Sequence, residues 1–171
     1  MVIGTTGLQP ADHATIDIAA VDIPILQATN MSLGVTLLTK LVGDIAATLG
    51  DDYDIELVES HHRHKKDAPS GTANTLVESI LGATGKPKSA VIVGRHGDEA
   101  VRERGQIGVH SMRMGDEVGK HTVCFATTGE RIELTHTATN RDTFAQGALT
   151  AARWLADQKP GRYTMRDVLG L

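Results

Sequence analysis

Cysteine is almost absent from this sequence, because Cys124 is the only one in 171 residues. A single thiol can form neither an intrachain disulfide nor a thiolate zinc site, which excludes a disulfide-stapled scaffold and favours a reducing compartment. Aromatic residues make up only 3% of the chain, so the stacking surfaces on which nucleic-acid modules hold bases are not expected. We recognise no signal peptide and no apolar run long enough to span a bilayer, so we expect a cytoplasmic protein without a membrane partner.

The glycine fingerprint of dinucleotide-binding folds is also missing. No G-x-G-x-x-G stands near the start of the chain, and no acidic residue follows at the spacing of a ribose clamp. Residues 82–86 resemble a phosphate-binding loop, but their glycines are too close together and Pro87 stands where a Ser or Thr is required. Taken alone, these segments predict no nucleotide site.

With 171 residues, 40% of them hydrophobic, the chain suits one ordinary domain, or one domain plus part of another.

The overall charge is acidic, with 17 Lys and Arg against 21 Asp and Glu and a formal net charge of −4. In this acidic chain, all six consecutive side chains at residues 61–66 are basic or titratable. A compact basic cluster in an acidic chain predicts a local anion site and argues against a nucleic-acid surface.

The basic cluster leads through Pro69 into a predicted helix that opens with Ser70, Gly71 and Thr72. The helix start offers backbone N–H groups at the positive end of the helix dipole, where carboxylates bind well. The crowded bases before it give up protons more readily than isolated ones, because like charges disfavour the protonated form. This pairing predicts a site that binds a small anion and protonates it. A solvated basic loop explains the histidine run equally well, and a structural zinc site is disfavoured because no cysteine lies near.

Hydrophobic periodicity and turn residues predict an α/β chain. The most regular helix is predicted over residues 33–49, where an aliphatic side chain recurs every fourth position. Further helices are predicted at residues 12–20, 70–81 and 142–158. Strands are predicted at residues 1–3, 23–28, 54–60, 88–94, 107–113, 118–127 and 131–137. Short turns join the last three strands, which predicts an antiparallel meander, and residues 163–171 are predicted to form a tail.

Two loops follow the first two predicted strands. Residues 4–7 form a glycine-containing turn, and residues 28–31 follow the next strand. Because α/β sheets bind ligands beyond the carboxyl ends of their parallel strands, we expect these loops to lie side by side at a ligand site.

Taken together, these segments resemble the 4-hydroxy-tetrahydrodipicolinate reductase (dihydrodipicolinate reductase) family of diaminopimelate and lysine biosynthesis. The resemblance depends on residues 59–73, ESHHRHKKDAPSGTA, which are similar to the family signature almost residue for residue. Residues 4–7, 28–32, 131–136 and 165–169 support it along the whole chain.

The resemblance implies a role for each matching residue. His61 corresponds to the general acid/base and Lys65 to the proton donor. The expected substrate contacts are His62, Ser70, Gly71, Thr72 and Thr6. The expected cofactor contacts are Gly4, Thr5, Thr6, Ala28, Thr29, Asn30 and Met31, with Arg141 also near the cofactor. No metal is implied.

The family also implies a domain organisation and partners. Residues 1–32 would be the remnant of a Rossmann-type dinucleotide domain, and residues 33–140 an α+β domain with a mixed, largely antiparallel sheet for substrate binding and tetramerisation. Residues 141–171 would return to the dinucleotide domain. The implied cofactor is NADH or NADPH, the implied substrate a cyclic imine dicarboxylate, and the implied assembly a homotetramer through the sheet.

The chain departs from the family in one respect. Roughly the first hundred residues of the family, including its pyrophosphate-binding loop, are expected to be missing here. This length is estimated from the βαβ repeats that a dinucleotide-binding fold requires. We therefore expect this chain to be catalytically impaired. A non-catalytic dicarboxylate-binding oligomerisation module is the alternative, and a histidine-cluster metal protein is a third hypothesis.

Overall fold

The computed structural model describes all residues from 1 to 171 and divides them into two units. Unit 1 comprises residues 1–37 and 141–171, and unit 2 comprises residues 38–140. The helices are α1 Pro10–Ala19, α2 Leu33–Leu49, α3 Gly71–Thr84, α4 Asp142–Leu155 and α5 Met165–Leu169. The strands are β1 Val2–Ile3, β2 Pro24–Gln27, β3 Asp54–His61, β4 Val91–Val93, β5 Ile107–Arg113, β6 Gly119–Thr127, β7 Glu130–Ala138 and β8 Gly161–Tyr163.

Unit 1 contains a small parallel sheet in the order β1-β2-β8. Strand β2, the loop that follows it, α4 and α5 all contribute to its core, which consists of Leu26, Met31, Ala151, Leu155 and Met165. The expectation that residues 163–171 form a tail is wrong, because Gly161–Tyr163 pairs with β2 and a further helix follows. That helix begins with a capping box, in which the side chains of Thr164 and Asp167 satisfy amide groups of the first turn.

Unit 2 is built on a five-stranded sheet in the order β4-β5-β3-β6-β7. The pairs β4/β5 and β5/β3 are parallel, and the pairs β3/β6 and β6/β7 are antiparallel, so the expected α/β fold with a mixed sheet is confirmed. Helices α2 and α3 contribute to one apolar core with the sheet. The buried residues of this core are Leu38, Val42, Ala46, Ile55, Leu57, Ala73, Leu76, Val77, Ile80, Ile107, Val109, Val123 and Phe125.

The three predicted strands after residue 106 exist, but they do not form a meander. Strand β3 lies between β5 and β6, so only β6 and β7 form a hairpin. The β5–β6 connection hydrogen-bonds with the end of β3, where Met114 N donates to His61 O at 2.9 Å and His62 N donates to Glu117 O at 2.7 Å. A period-two pattern predicts that a segment is a strand, but it does not specify the neighbouring strand.

Helix α2 follows the predicted boundaries, residues 33–49. Its buried side chains Leu38, Val42 and Ala46 belong to the core of unit 2. By length and composition alone, residues 33–52 are long and apolar enough to cross a membrane, so the expectation that no such run exists is wrong. One helix of this kind is weak evidence for a span, because core helices of globular proteins pass the same test.

Candidate active site

The carboxyl end of β3 carries two polar side chains on the face of the sheet that packs against the core. Ile55, Leu57, Glu59 and His61 alternate along this strand and are all buried. Because side chains two apart share a strand face, the apolar positions that bury the first half of β3 also bury Glu59 and His61. Glu59 is 0% exposed, and a charge so deeply buried requires partners.

The Glu59 carboxylate is surrounded by hydrogen-bond donors. The Arg113 guanidinium binds it in a bidentate manner, with Nη1 at 2.9 Å from Oε2 and Nη2 at 2.8 Å from Oε1. The backbone N–H of Ser70 donates to Oε1 at 3.2 Å, and Nδ1 of His61 lies 2.5 Å from Oε2. Burial favours the neutral acid, but hydrogen bonds from Arg113, Ser111 and His61 outweigh it and lower the pKa of Glu59 to about 2. The carboxylate is therefore ionised.

The His61 ring connects this carboxylate to a second histidine. Only 8% of His61 is exposed, and its ring meets that of His121 edge to face at a centroid distance of 5.1 Å. A Cβ at Gly119 would lie 2.9 Å from Nε2 of His61. The ring can occupy this position only because residue 119 has no side chain.

His121 on β6 is a site residue that the sequence analysis missed. It lies opposite Glu59 in the β3/β6 register, and its Nε2 is 3.0 Å from Oγ of Ser70. Its side chain is buried, and its Nδ1 has no hydrogen-bond partner. Burial, followed by the charge of His61, lowers the pKa of His121 to about 4. The sequence did contain a signal for this residue: His121 alternates with Val123 and Phe125, so it lies on the same inward face of the strand.

The stability of unit 2 should fall in acid because of His121. The unfolded side chain takes up a proton near pH 6.5, whereas the folded one does so only near pH 4, so the free energy of unfolding decreases as pH falls from 6.5 to 4. The full difference between the folded and unfolded pKa of His121 corresponds to about 3 kcal/mol of stability. We expect His121→Gln to lose most of this dependence in urea unfolding measured at pH 7.0, 5.5 and 4.5. If the free energy of unfolding of His121→Gln fell with pH as steeply as that of the wild type, the assignment would be contradicted.

Lys65 lies just beyond the strand end and is held by an acidic neighbour. Its Nζ is 2.8 Å from Oδ1 of Asp67, and this hydrogen bond lowers the pKa of Asp67. The backbone oxygen of Asp67 accepts a hydrogen bond from Arg113 at 2.6 Å. Arg113 therefore links the segment that carries Lys65 with the carboxylate that holds His61.

The Ser-Gly-Thr opening forms the start of α3, as predicted. Ser70 is the N-cap, and its Oγ accepts a hydrogen bond from Ala73 N at 3.1 Å. Gly71 is exposed, and a Cβ there would meet nothing within 4 Å, so the helix end is open to a ligand. Thr72 is half-buried in the same turn. Ser70 touches both Glu59 and His121, so the structure joins the helix N-terminus to His61 through one hydrogen-bond network.

The other histidines of the run occupy the segment that follows β3. The ring of His62 lies 6.4 Å from that of His64, tilted by 37°. His62 is half-buried and His64 is exposed.

The predicted cofactor residues lie in unit 1. Strands β1 and β2 are parallel neighbours, so residues 4–6 and 28–31 leave the same edge of their sheet. A Cβ at Gly4 would lie 3.4 Å from Cε of Met31, which places the two loops in contact. The predicted cofactor residues Thr5, Thr6, Thr29 and Arg141 are exposed. Ala28 and Asn30 are half-buried, and Oδ1 of Asn30 accepts a hydrogen bond from Ser32 N at 2.9 Å.

Comparison with known proteins places the chain in a family. Residues 34–169 match the family model of the dihydrodipicolinate reductase C-terminus. The chain is 54% identical over 172 residues to the 4-hydroxy-tetrahydrodipicolinate reductase of Nitrosospira multiformis and 52% identical over 172 residues to that of Alkalilimnicola ehrlichii. Each alignment covers 100% of this chain and 64% of the relative. The chain thus spans about 64% of the length of these relatives.

A solved structure gives the same result. The dipicolinate-bound dihydrodipicolinate reductase from Paenisporosarcina sp. TG-14 is similar over 95% of this chain and 62% of its own, with a TM-score of 0.75 and 25% identity. The family that residues 59–73 resemble is therefore confirmed. This chain belongs to the dihydrodipicolinate reductase C-terminal family.

Proposed function

We propose that this chain carries the substrate-binding and proton-donating part of an NADH- or NADPH-dependent reduction of 4-hydroxy-tetrahydrodipicolinate to tetrahydrodipicolinate in the cytoplasm. The observation that carries the proposal is the hydrogen-bond network of unit 2. It joins an imidazole, held by an ionised buried carboxylate, to the N-terminus of a helix. An acid/base group beside an anion site suits a substrate that is both negatively charged and in need of a proton.

A cyclic imine dicarboxylate suits the charges of this region. The start of α3, where a Cβ at Gly71 would meet nothing within 4 Å, offers a backbone N–H to one carboxylate, with Thr72 in the same turn and Ser70 as the cap that anchors it. Lys65 and His62 supply cationic and hydrogen-bonding groups in the segment that leads to the helix. These cations also withdraw electron density from a bound ring, which favours the arrival of a hydride. The similar structure from Paenisporosarcina sp. TG-14, which is dipicolinate-bound, supports this ligand class.

Residues of unit 1 fit the nicotinamide end of a cofactor. Residues 4–6 and 28–31 lie at the carboxyl edge of a parallel sheet, where α/β folds bind nucleotides. The glycine at position 4 leaves space for Met31 and for close approach to the backbone. We assign cofactor contacts to these two loops and to Arg141, and the family resemblance also assigns a substrate contact to Thr6. The cofactor would supply the hydride, while His61 would act as the general acid/base and Lys65 as the proton donor.

The direct test measures the loss of nicotinamide absorbance on addition of the substrate, together with calorimetric titration of pyridine-2,6-dicarboxylate. Substrate-dependent oxidation of NADH or NADPH supports the reductase function. Dicarboxylate binding that neither nucleotide affects, without turnover, favours the non-catalytic module instead. The absence of both dicarboxylate binding and turnover would contradict both functions.

Substitution of Lys65 should weaken dicarboxylate binding specifically. A hydrogen bond to a charged group contributes about 1.5 to 3 kcal/mol, so Lys65→Gln should raise the Kd of pyridine-2,6-dicarboxylate by about 10- to 100-fold. The matched control is Lys66→Gln, which removes the adjacent exposed cation and should change the Kd by less than about threefold, in line with weak surface electrostatics. Equal effects of the two variants in calorimetry would show that only overall charge matters.

We also propose that unit 2 forms a homotetramer through its sheet. Helices α2 and α3 supply the core on one face. The opposite face carries Glu56, whose carboxylate bonds to Arg95 and Arg102 and lies 2.7 Å from Nε2 of His110. Met112 on the same face is 45% exposed, and a second copy of the sheet would cover it. Sedimentation equilibrium at micromolar concentration tests this, and a monomer would contradict it.

A further inference from the structure

The function proposed above uses His61 but assigns nothing to Glu59, the most enclosed charged side chain at the site. Its carboxylate is 0% exposed and receives donors from Arg113, Ser70 and His61. Arg113 binds both carboxylate oxygens, so neither oxygen is turned toward a ligand. A group enclosed in this way acts through its neighbours and does not touch the substrate.

The position of Glu59 determines which nitrogen of His61 carries a proton in the neutral ring. An ionised carboxylate can only accept hydrogen bonds, and Nδ1 lies 2.5 Å from Oε2. Nδ1 must therefore be the N–H, because a bare Nδ1 would place two lone pairs against each other. The low pKa of Glu59, about 2, is consistent with this assignment because it keeps the carboxylate ionised at neutral pH.

The opposite nitrogen, Nε2, is left to exchange a proton. It lies beside Gly119, where a Cβ would come within 2.9 Å of Nε2 and 3.2 Å of Cδ2. Any larger residue at position 119 would press on this edge of the ring. The edge of the ring that the carboxylate does not occupy, which carries Nε2, therefore lies close beside Gly119 and fits there because residue 119 has no side chain.

We propose that Glu59 is a positioning residue that holds His61 in the Nδ1–H tautomer, so that Nε2, on the edge of the ring beside Gly119, exchanges the proton with the substrate. Arg113 contributes indirectly, since it satisfies both carboxylate oxygens and fixes their orientation. The exchange at Nε2 rests on the proposed function, whereas the tautomer is a property of the unliganded chain. The two parts can therefore be tested separately.

The test of the tautomer is long-range ¹H–¹⁵N correlation NMR of the histidine-labelled chain, without substrate or cofactor, at a pH where the ring is neutral. Wild-type His61 should be in the Nδ1–H form. In Glu59→Gln, a side-chain amide that can also donate removes this constraint, so the Nε2–H form should become populated. The matched control is Glu56→Gln on the same strand, which removes the carboxylate beside His110 and should leave His61 unchanged.

The possible outcomes separate this inference from the reductase function. A wild-type His61 in the Nε2–H form would overturn the proposal even if Glu59→Gln did not fold. An unchanged tautomer in a folded Glu59→Gln would overturn it as well. Where turnover is measured, Glu59→Gln should lower kcat by on the order of 100-fold or more with KM little changed, as expected for loss of the correct tautomer. A changed tautomer with unchanged kcat would overturn the catalytic part. The predicted tautomers in a chain that shows neither dicarboxylate binding nor turnover would support the positioning role and contradict the proposed function.

Discussion

Arg113→Met should lower the free energy of unfolding by on the order of 3 to 5 kcal/mol, because it leaves a buried carboxylate without its main partner. Glu59 has no exposed surface, and Arg113 provides two of its hydrogen bonds, at 2.8 and 2.9 Å. Methionine retains a long aliphatic side chain, so the substitution removes chiefly the guanidinium charge and its hydrogen bonds to Glu59. Urea unfolding at neutral pH measures the change.

A second ion pair provides the control for this prediction. The Arg131–Glu133 pair is exposed, with 64% and 44% of the two side chains accessible, so Arg131→Met should change stability by less than about 1 kcal/mol. The double variant Arg113→Met/Glu59→Gln should regain much of the loss, because the buried group is then neutral. If the double variant is as unstable as Arg113→Met alone, the unpaired charge is not the cause.

Gly147→Ala should destabilise unit 1 by about 3 kcal/mol, although alanine is the better helix former. Gly147 lies within α4, and a Cβ there would be 2.9 Å from the carbonyl carbon of Met31 and nearer still to its oxygen. These are backbone atoms, so the helix or residues 28–31 must move. A gain of about 1 kcal/mol in helix propensity is too small to offset this overlap. Because residues 28–31 are the proposed nicotinamide loop, binding of NADPH should weaken along with stability.

The same substitution in open space provides the comparison. Gly82 lies within α3, where a Cβ would meet nothing within 4 Å. Gly82→Ala should therefore raise stability by about 0.4 to 1 kcal/mol. Thermal unfolding of the two variants separates the effects, and a stabilised Gly147→Ala would show that α4 does not lie tightly against Met31.

The existence of the main elements could be predicted from local patterns. The apolar stripe of α2 and the start of α3 were both correctly located, because each depends on residues close in sequence. The pattern left Ser70 and Thr72 as alternative caps, and the structure shows Ser70. The strands after residue 106 were also correctly located, but their pairing was not. Pairing is decided by which backbone edges meet in the folded chain. Alternation of side chains indicates which face of a strand is buried, but it does not identify the neighbouring strand. Strand β8 was missed for a different reason, because three residues are too few to show a recognisable alternation.

The candidate site shows the same division. Residues 59–73 alone indicated an anion-binding, proton-donating region, because cations, imidazoles and a helix start occur together there. Glu59 belongs to this run, but its role became visible only when Arg113 was found on its carboxylate. His121 is also remote in sequence and reaches Ser70 through the register of β6 on β3.

The amino-acid sequence by itself determined the local chemistry of this protein and the positions of most helices and strands, since both depend on neighbours within a few residues. The tertiary structure alone decided which distant side chains complete the site. Insertion of β3 between β5 and β6 brings Arg113 and His121 to opposite flanks of Glu59 and His61. That placement results from long-range backbone pairing and burial, and it converts a run of basic residues into an imidazole held by a buried carboxylate.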